Sequence, residues 1–392
     1  MKILSVYNRY LNRGGEDEVF ESEAELLRQH GVEVGLVTEQ VTSPDSLQQK
    51  VAAAIQATWS NQWYKRFQAL LESEAPDLVH VHNLVPTISP SVLYACQRAG
   101  IPVVHTLHNY RLFCPTSTFF RDGHLCEECL RGTLWQGVKH GCYRDSRLAT
   151  AALAGMLAIH RNLGTWSEKV DCYVALTQFA RQKFIEGGLP ADRIVIKPNF
   201  VEPDPGVGNG DGGYCVFVGR LAAQKGVSTM LAAWHRLSGV KLIVVGNGPL
   251  ASEVESAGRS SCVHYLGRLP RNQTLEVIKQ ARALVFPSEW YEGFPLTIAE
   301  AFACGVPVIC SRLGAMQEIV EDCRTGLHFE AGNADDLAAK VTWAWNHPAE
   351  VRAMGTAARS EYESKYTARR NYEMLFEIYQ QTLRRRRNAL NN

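Results

Sequence analysis

VEPDPGVGNGDGGYCVFVG, residues 201–219, decides how the chain is built. Its first part, residues 201–213, holds two prolines and five glycines, the composition of a connection between domains. Its second part, YCVFVG (214–219), is a short run of apolar and β-branched residues closed by glycine, which reads as a buried strand of a parallel sheet. Downstream the same pattern returns in KLIVVG (241–246), CVHYLG (262–267), ALVFP (283–287) and PVIC (307–310), with helical patterns between the runs. Upstream it is found in KILSVY (2–7), VEVGLVT (32–38), LVHVH (78–82), PVVHTLH (102–108), CYVALT (172–177) and RIVIKPN (193–199). The series therefore stops and starts afresh. The pattern predicts an α/β chain of two doubly wound, Rossmann-like domains, 1–200 and 214–366, facing across a cleft fed by loops from both. The length, 392 residues, agrees, since single cores stop growing near roughly 250 to 300 residues.

The last segment, 367–392, carries Tyr372, Leu375, Phe376, Tyr379 and Leu383 on one helical face, which must dock on something. With 46% hydrophobic and 21% charged residues, general disorder is excluded. Lys+Arg 41 against Asp+Glu 40 leaves a net charge of +1, so no global basic field gathers nucleic acid, and none is expected as a partner. Arg9 interrupts the N-terminus before an apolar signal core forms. The longest weakly polar run, 148–159, is shorter than the roughly 20 residues that span a bilayer. A cytoplasmic protein without a span is predicted.

Ligands of open parallel sheets lie beyond the carboxyl ends of the strands. There, the first strand of the second domain runs into Gly219 and Arg220, with Lys225 shortly after. Two such cations can neutralise a diphosphate, the arginine by a forked contact and the lysine as a point charge. The stretch 288–305, SEWYEGFPLTIAEAFACG, adds Glu292 before Gly293, Phe294 and Pro295. Proline suits the first turn of a helix, which puts Leu296 and Thr297 at a helix N-terminus where free amides favour phosphate. Glu300 follows roughly 7 Å further along the axis. One carboxylate at each end of the phosphate site could hold a nucleotide sugar, Glu292 at the sugar and Glu300 at the ribose.

These residues resemble a family. Glu292 and Glu300 are similar to the E-x7-E element, and Arg220 with Lys225 to the cationic pair, of the retaining GT-B glycosyltransferases of glycosyltransferase family 4. The resemblance implies further roles. Gly14 and Gly15 would form the glycine loop at donor phosphates and acceptor, and His108 would touch the transferred sugar. Asn199 would match the asparagine ending the first domain. Gly246 and Gly248 would lie beside the diphosphate, Gly267 and Arg268 beside the base, and the final helix would cross back to the first domain. The chain contains no Asp-x-Asp, so the predicted chemistry needs no metal cofactor; Arg220, Lys225 and helix amides would stabilise the departing phosphate. Retention by double displacement would need a carboxylate nucleophile, for which Glu292 is the candidate; the resemblance implies same-face attack instead.

An insertion at about 110–145 carries Cys114, Cys126, Cys129 and Cys142 in C-x11-C-x2-C-x12-C order. Four such cysteines can wrap a tetrahedral zinc ion, with His124 and His140 as alternative ligands. Reduced core thiols, a disulfide or an iron–sulfur cluster are the other readings. Trp59, Trp63, Tyr64, Lys65, Arg66 and Phe67 mix aromatic and basic side chains, as an interfacial helix does and as a buried helix with a charged outer face does. With the run 148–159 and the arginines 384–387 they are the candidates for peripheral contact with the inner face of a membrane.

The sequence thus predicts a retaining transferase that moves a sugar from a nucleotide diphosphate to a glycan or polyprenyl-linked acceptor in bacterial cell-surface polysaccharide assembly. A nucleotide-sugar epimerase or hydrolase of the same architecture, and a nucleotide-sugar binding protein without catalysis, are the alternatives.

Overall fold

The computed structural model describes residues 1–9, 14–41, 46–258 and 262–391. Its strands, in chain order, are β1 (Lys2–Arg9), β2 (Glu33–Gln40), β3 (Leu78–Asn83) and β4 (Val103–Leu107), then a short antiparallel hairpin of β5 (Phe120–Arg121) and β6 (His124–Leu125). There follow β7 (Cys172–Ala175), β8 (Ile194–Ile196), β9 (Tyr214–Val218), β10 (Lys241–Val245), β11 (Val263–Gly267), β12 (Ala283–Phe286), β13 (Val308–Ser311) and β14 (Gly326–Phe329). They build two six-stranded parallel sheets with the orders β2-β1-β3-β4-β7-β8 and β11-β10-β9-β12-β13-β14. The near-continuous apolar runs are buried on both faces because helices cover both, as all-parallel sheets require. In each sheet the winding direction reverses beside the first strand, between β1 and β3 in one and between β9 and β12 in the other. Such reversals leave a crevice at the carboxyl ends. β14, GLHF, is an addition to the strand series read from the sequence.

The chain divides into two compact units. The N-terminal unit comprises residues 1–119, 126–198 and 371–392; the C-terminal unit comprises 120–125 and 199–370. The final helix, Ala368–Asn391, belongs mainly to the N-terminal unit, where Leu375 and Tyr379 are fully buried beside Ile3, Leu78, Val104 and Val174. Each such side chain contributes on the order of 1.5–3 kcal/mol by leaving water. The glycine-rich stretch is not a free tether. Gly208, Gly210 and Gly212 donate their amides to the carbonyls of Cys304, Lys279 and Gln280, so it lies along the C-terminal unit.

Trp63 and Phe67, on the helix Asn61–Glu74, are buried, while Lys65 and Arg66 are exposed. Of the two readings of that segment, the buried helix with a charged outer face is the one found. Among the described residues no helix is long and apolar enough to cross a membrane.

Candidate functional site

In the C-terminal unit the predicted residues gather at the carboxyl edge of one sheet. Lys225 ends a short 3-10 turn, Ala223–Lys225, and Gly226 follows at φ +67°. A Cβ at Gly226 would stand 1.9 Å from the Pro287 carbonyl, so glycine lets the β9 loop lie directly on the β12 loop. Gly246 does the same after β10: at φ +147° its Cβ would meet the Gly219 carbonyl at 1.8 Å. These contacts hold the loops after β9, β10 and β12 as one platform. Gly219 follows β9, Gly248 follows β10, and Gly267 ends β11. Arg220 and Arg268 project into solvent from this edge.

On the platform the Lys225 ammonium lies 2.6 Å from Glu292 Oε1. The same oxygen accepts from Ser288 Oγ at 2.5 Å and Trp290 Nε1 at 2.7 Å. Glu292 is 6% exposed, so a buried carboxylate oxygen receives three donors, one of them charged. The indole also lies under the ammonium, 5.2 Å from ring centre to Nζ. The helix Leu296–Ala303 begins four residues after Glu292, with Pro295 at its cap position and Thr297 in its first turn. Pro295 therefore precedes the helix and does not enter it. Phe294 and Leu296 pack against the apolar core, which leaves their backbone as what they offer a ligand beside Gly293. Glu300 is already engaged: Arg271 Nε stands 3.1 Å from its Oε1.

In the N-terminal unit the helix Gly15–Gln29 starts at the predicted glycines, with the Gly14 amide donating to Asp17 Oδ2 at 2.9 Å. Residues 10–13 of that loop lie outside the described residues. Asn199, the first residue of the C-terminal unit, is buried, and among the described residues its Oδ1 has no hydrogen-bond partner. His108 follows β4 and is buried. Its Nε2 lies 2.9 Å from Nδ1 of His82. Behind them sits a buried charged pair, Lys197 Nζ to Glu23 Oε2 at 2.8 Å, the side chains 0% and 2% exposed. Burial pushes the His108 imidazole down to about 4, against the pull of the Glu23 carboxylate and with the help of Lys197, so the ring is neutral. Burial holds His80 and His82 well below their ordinary range for the same reason.

The four cysteines lie in the insertion, Cys114 and Cys129 buried, Cys126 and Cys142 half-buried. Burial and then the neighbouring Cys114 thiol push the Cys129 thiol up to about 12; Cys142 and Cys126 add to it. Among the described residues, the ligand-bearing side chains whose atoms converge within 4.8 Å are a different set, Glu23, His80 and His82.

The family described as Glycosyltransferase Family 4 matches residues 13–205, and that described as Glycosyl transferases group 1 matches 204–361. The chain belongs to glycosyltransferase family 4. It is 32% identical over 180 residues to the alpha-maltose-1-phosphate synthase of Mycolicibacterium smegmatis, across 42% of this chain and 46% of that one. Over 179 residues it is 30% identical to the O-antigen chain mannosyltransferase B of Escherichia coli, with the same coverages of 42% and 46%. These alignments span less than half the length of those two relatives. The structure of Anabaena HepE in complex with UDP superposes with a TM-score of 0.67 at 18% identity, covering 96% of this chain and 99% of that one. The fold is GT-B.

Within this family 4 chain, several neighbours of the site escaped the sequence reading. Ser288 and Trp290 flank Glu292 in the sequence, where a carboxylate at a buried turn demands donors close by. Arg271 lies 29 residues from Glu300 and has no sequence signal pointing to it. Glu23 sits in a charged helical stretch that reads as exposed. Its signal is Lys197, a lone lysine directly after an apolar strand, which when buried requires a partner.

Proposed function

We propose that the protein transfers a sugar from a nucleotide diphosphate donor, with retention, to a hydroxyl of a glycan or lipid-linked acceptor in cell-surface polysaccharide assembly. The observation that carries this reading is the Lys225–Glu292 pair set at the strand reversal of the C-terminal sheet, ahead of a helix N-terminus. Lys225, Arg220 and the amides around Thr297 take the diphosphate. As the bond from anomeric carbon to phosphate breaks, they meet the charge that develops without having to reorganise. No divalent cation is needed for that step. Glu292 orients the sugar's hydroxyls, and Glu300 with Arg271 lies deeper, at the nucleoside. We assign His108 of the N-terminal unit to the transferred sugar.

The likeness to a UDP-bound GT-B structure and to an O-antigen mannosyltransferase supports a nucleotide-sugar donor and a polysaccharide role. For the cysteines we propose structural zinc, supported by their C-x11-C-x2-C-x12-C spacing; one zinc per purified chain, released by a mercurial, is the expected analysis, and none would refute it. For the location we propose peripheral contact with the inner face of a membrane. It is supported by Ile55 and Leu148, 64% and 79% exposed on neighbouring helices, and a failure to float with anionic liposomes would refute it.

Thermal melting with UDP-, GDP- and ADP-sugars, in buffer with and without EDTA, tests the donor site. Wild type should be stabilised by one nucleotide class regardless of EDTA, and Lys225→Ala and Glu300→Ala should lose the shift. Stabilisation that vanishes with EDTA would overturn the metal-free mechanism. No shift with any donor would overturn the donor site itself.

A further inference from the structure

Four side chains behind His108 have no part in the reading above, and their geometry fixes how that ring is presented. His82 Nδ1 and His108 Nε2 are 2.9 Å apart, the ring planes 19° from parallel and the centres 5.2 Å apart. Two imidazoles joined edge to edge by one in-plane hydrogen bond have this arrangement. Exactly one proton lies between the two nitrogens when both rings are neutral, so one ring donates and the other accepts.

The other edge of His82 decides which. Its Nε2 faces Glu23 Oε1 at 3.6 Å, and His80 Nδ1 approaches the same oxygen at 3.4 Å. Burial opposes the charge on Glu23, yet the Lys197 ammonium holds its carboxyl below the ordinary range, so the oxygen carries negative charge. If His82 Nε2 were bare, its lone pair would face that oxygen between two side chains each 2% exposed. A proton there turns repulsion into attraction. With its proton on Nε2, His82 has a bare Nδ1 and accepts from His108. His108 then carries its own proton on Nε2, leaving Nδ1 as an acceptor. On the other side His80 is braced by Thr106 Oγ1 at Nε2, 2.8 Å, and by the Tyr379 hydroxyl at Nδ1, 2.7 Å. The edge of Phe20 closes the face of His82, with ring centres 5.1 Å apart.

We propose that His82, oriented by Glu23 and Lys197, is a positioning residue that holds His108 with its proton on Nε2, so that Nδ1 receives a hydrogen bond from a neutral hydroxyl of the transferred sugar. This rests on the assignment of His108 to that sugar. It adds a selectivity: a bare nitrogen lone pair accepts from a hydroxyl and repels a carboxylate oxygen, so a hexose is favoured over a uronic acid at this contact.

Glu23, His80 and His82 also form the donor set of a metal ion. Lys197 argues against that use. Its ammonium is fully buried and bonded to Glu23, so the positive charge the carboxylate needs is already present, and a divalent ion would sit beside it as a like charge.

Nitrogen-15 NMR of histidine-labelled full-length protein at neutral pH, with His108 assigned through His108→Gln, reads the tautomer directly. The expected result is a proton on Nε2 of His108 in wild type and mixed tautomers in His82→Phe. Turnover is measured on whichever nucleotide sugar stabilises the protein, as released nucleoside diphosphate. His82→Phe should lower kcat about 10- to 100-fold with KM for the donor within about twofold, the scale of losing an outer partner of a working imidazole. His82→Asn, whose Oδ1 stands where Nδ1 stood, should regain most of it.

A wild-type His108 protonated on Nδ1 overturns the proposal, and this holds even if His82→Phe does not fold. So does unchanged kcat in His82→Phe beside an inactive His108→Gln, or stoichiometric tightly bound metal lost in His80→Phe. Full turnover in His108→Gln overturns instead the assignment of His108 to the sugar, while the wild-type tautomer still decides whether the relay exists.

Discussion

Each unit places one lysine–glutamate pair near the carboxyl edge of its sheet, and the two pairs are built for different work. Lys197 and Glu23 are 0% and 2% exposed, with histidines and a tyrosine filling the space around them. Lys225 and Glu292 are 22% and 8% exposed, among glycines that keep the loops close and leave an approach open. A charge pair with no route to water cannot exchange partners with a ligand. One with an open side can trade the ammonium for a phosphate and the carboxylate for a hydroxyl. Burial, more than residue type, separates a fixed electrostatic support from a binding site.

The contrast breaks most easily at the buried lysine. Lys197→Met leaves Glu23 charged and unpaired in the interior and should cost about 3–5 kcal/mol in denaturant unfolding. Adding Glu23→Gln should restore a good part of that loss, since the uncompensated charge is then gone. A single variant as stable as wild type would mean that water reaches the pair, and the distinction between the units would fail.

Lys225→Ala is the matching change in the other unit, with the opposite signature. Stability should move by less than about 1 kcal/mol, as for a partly exposed pair. Turnover of the stabilising nucleotide sugar should fall about 100- to 1000-fold, the scale of losing one preorganised donor to a developing charge. A large stability loss with little change in kcat would make Lys225 a structural residue.

The two units also differ in how much of them was legible. Both sheets were readable because buried parallel strands are written as continuous apolar runs, and the platform was readable because Gly219 and Gly246 close such runs and Lys225 comes six residues after Gly219. β14 escaped because GLHF is four residues long and contains a histidine, too little to stand out from a loop. The partners of the charged groups escaped for a different reason. Arg271 and Glu300 are 29 residues apart and Glu23 and Lys197 are 174 apart, and nothing local in either segment specifies the meeting. His80 and His82 were visible as residues, but whether a strand-end histidine is exposed or sealed is a property of the final helix that brings Tyr379 onto it.

Acid should sharpen the contrast further. The rings of His80, His82, His105 and His108 stay neutral when folded, His105 to about pH 3 and His108 to about pH 4, with burial as the main cause. Unfolded, each takes up a proton near pH 6.5, so between those limits the unfolded state binds more protons and stability falls as pH falls. The loss approaches about 1.4 kcal/mol per pH unit for each ring. In the C-terminal unit His328 is held down in the same way, chiefly by burial. Hydrogen exchange followed by peptide from pH 7.5 to 4.5 should therefore show the N-terminal unit opening first. Equal acid sensitivity would mean that the histidines are hydrated.

The smallest test compares single hydrogen bonds. Tyr379→Phe removes the hydroxyl 2.7 Å from His80 Nδ1 without changing the apolar packing of the ring. Both groups are buried, so no water replaces the lost partner, and the variant should lose about 1–2 kcal/mol. Trp290→Phe likewise removes one bond, that to Glu292 Oε1, but Ser288 and Lys225 remain on the same oxygen. Its stability should change by less than about 0.5 kcal/mol. If the two losses are equal in parallel denaturant titrations, the N-terminal network is no more sealed than the C-terminal one, and the fixed-support reading of Glu23 and Lys197 loses its basis.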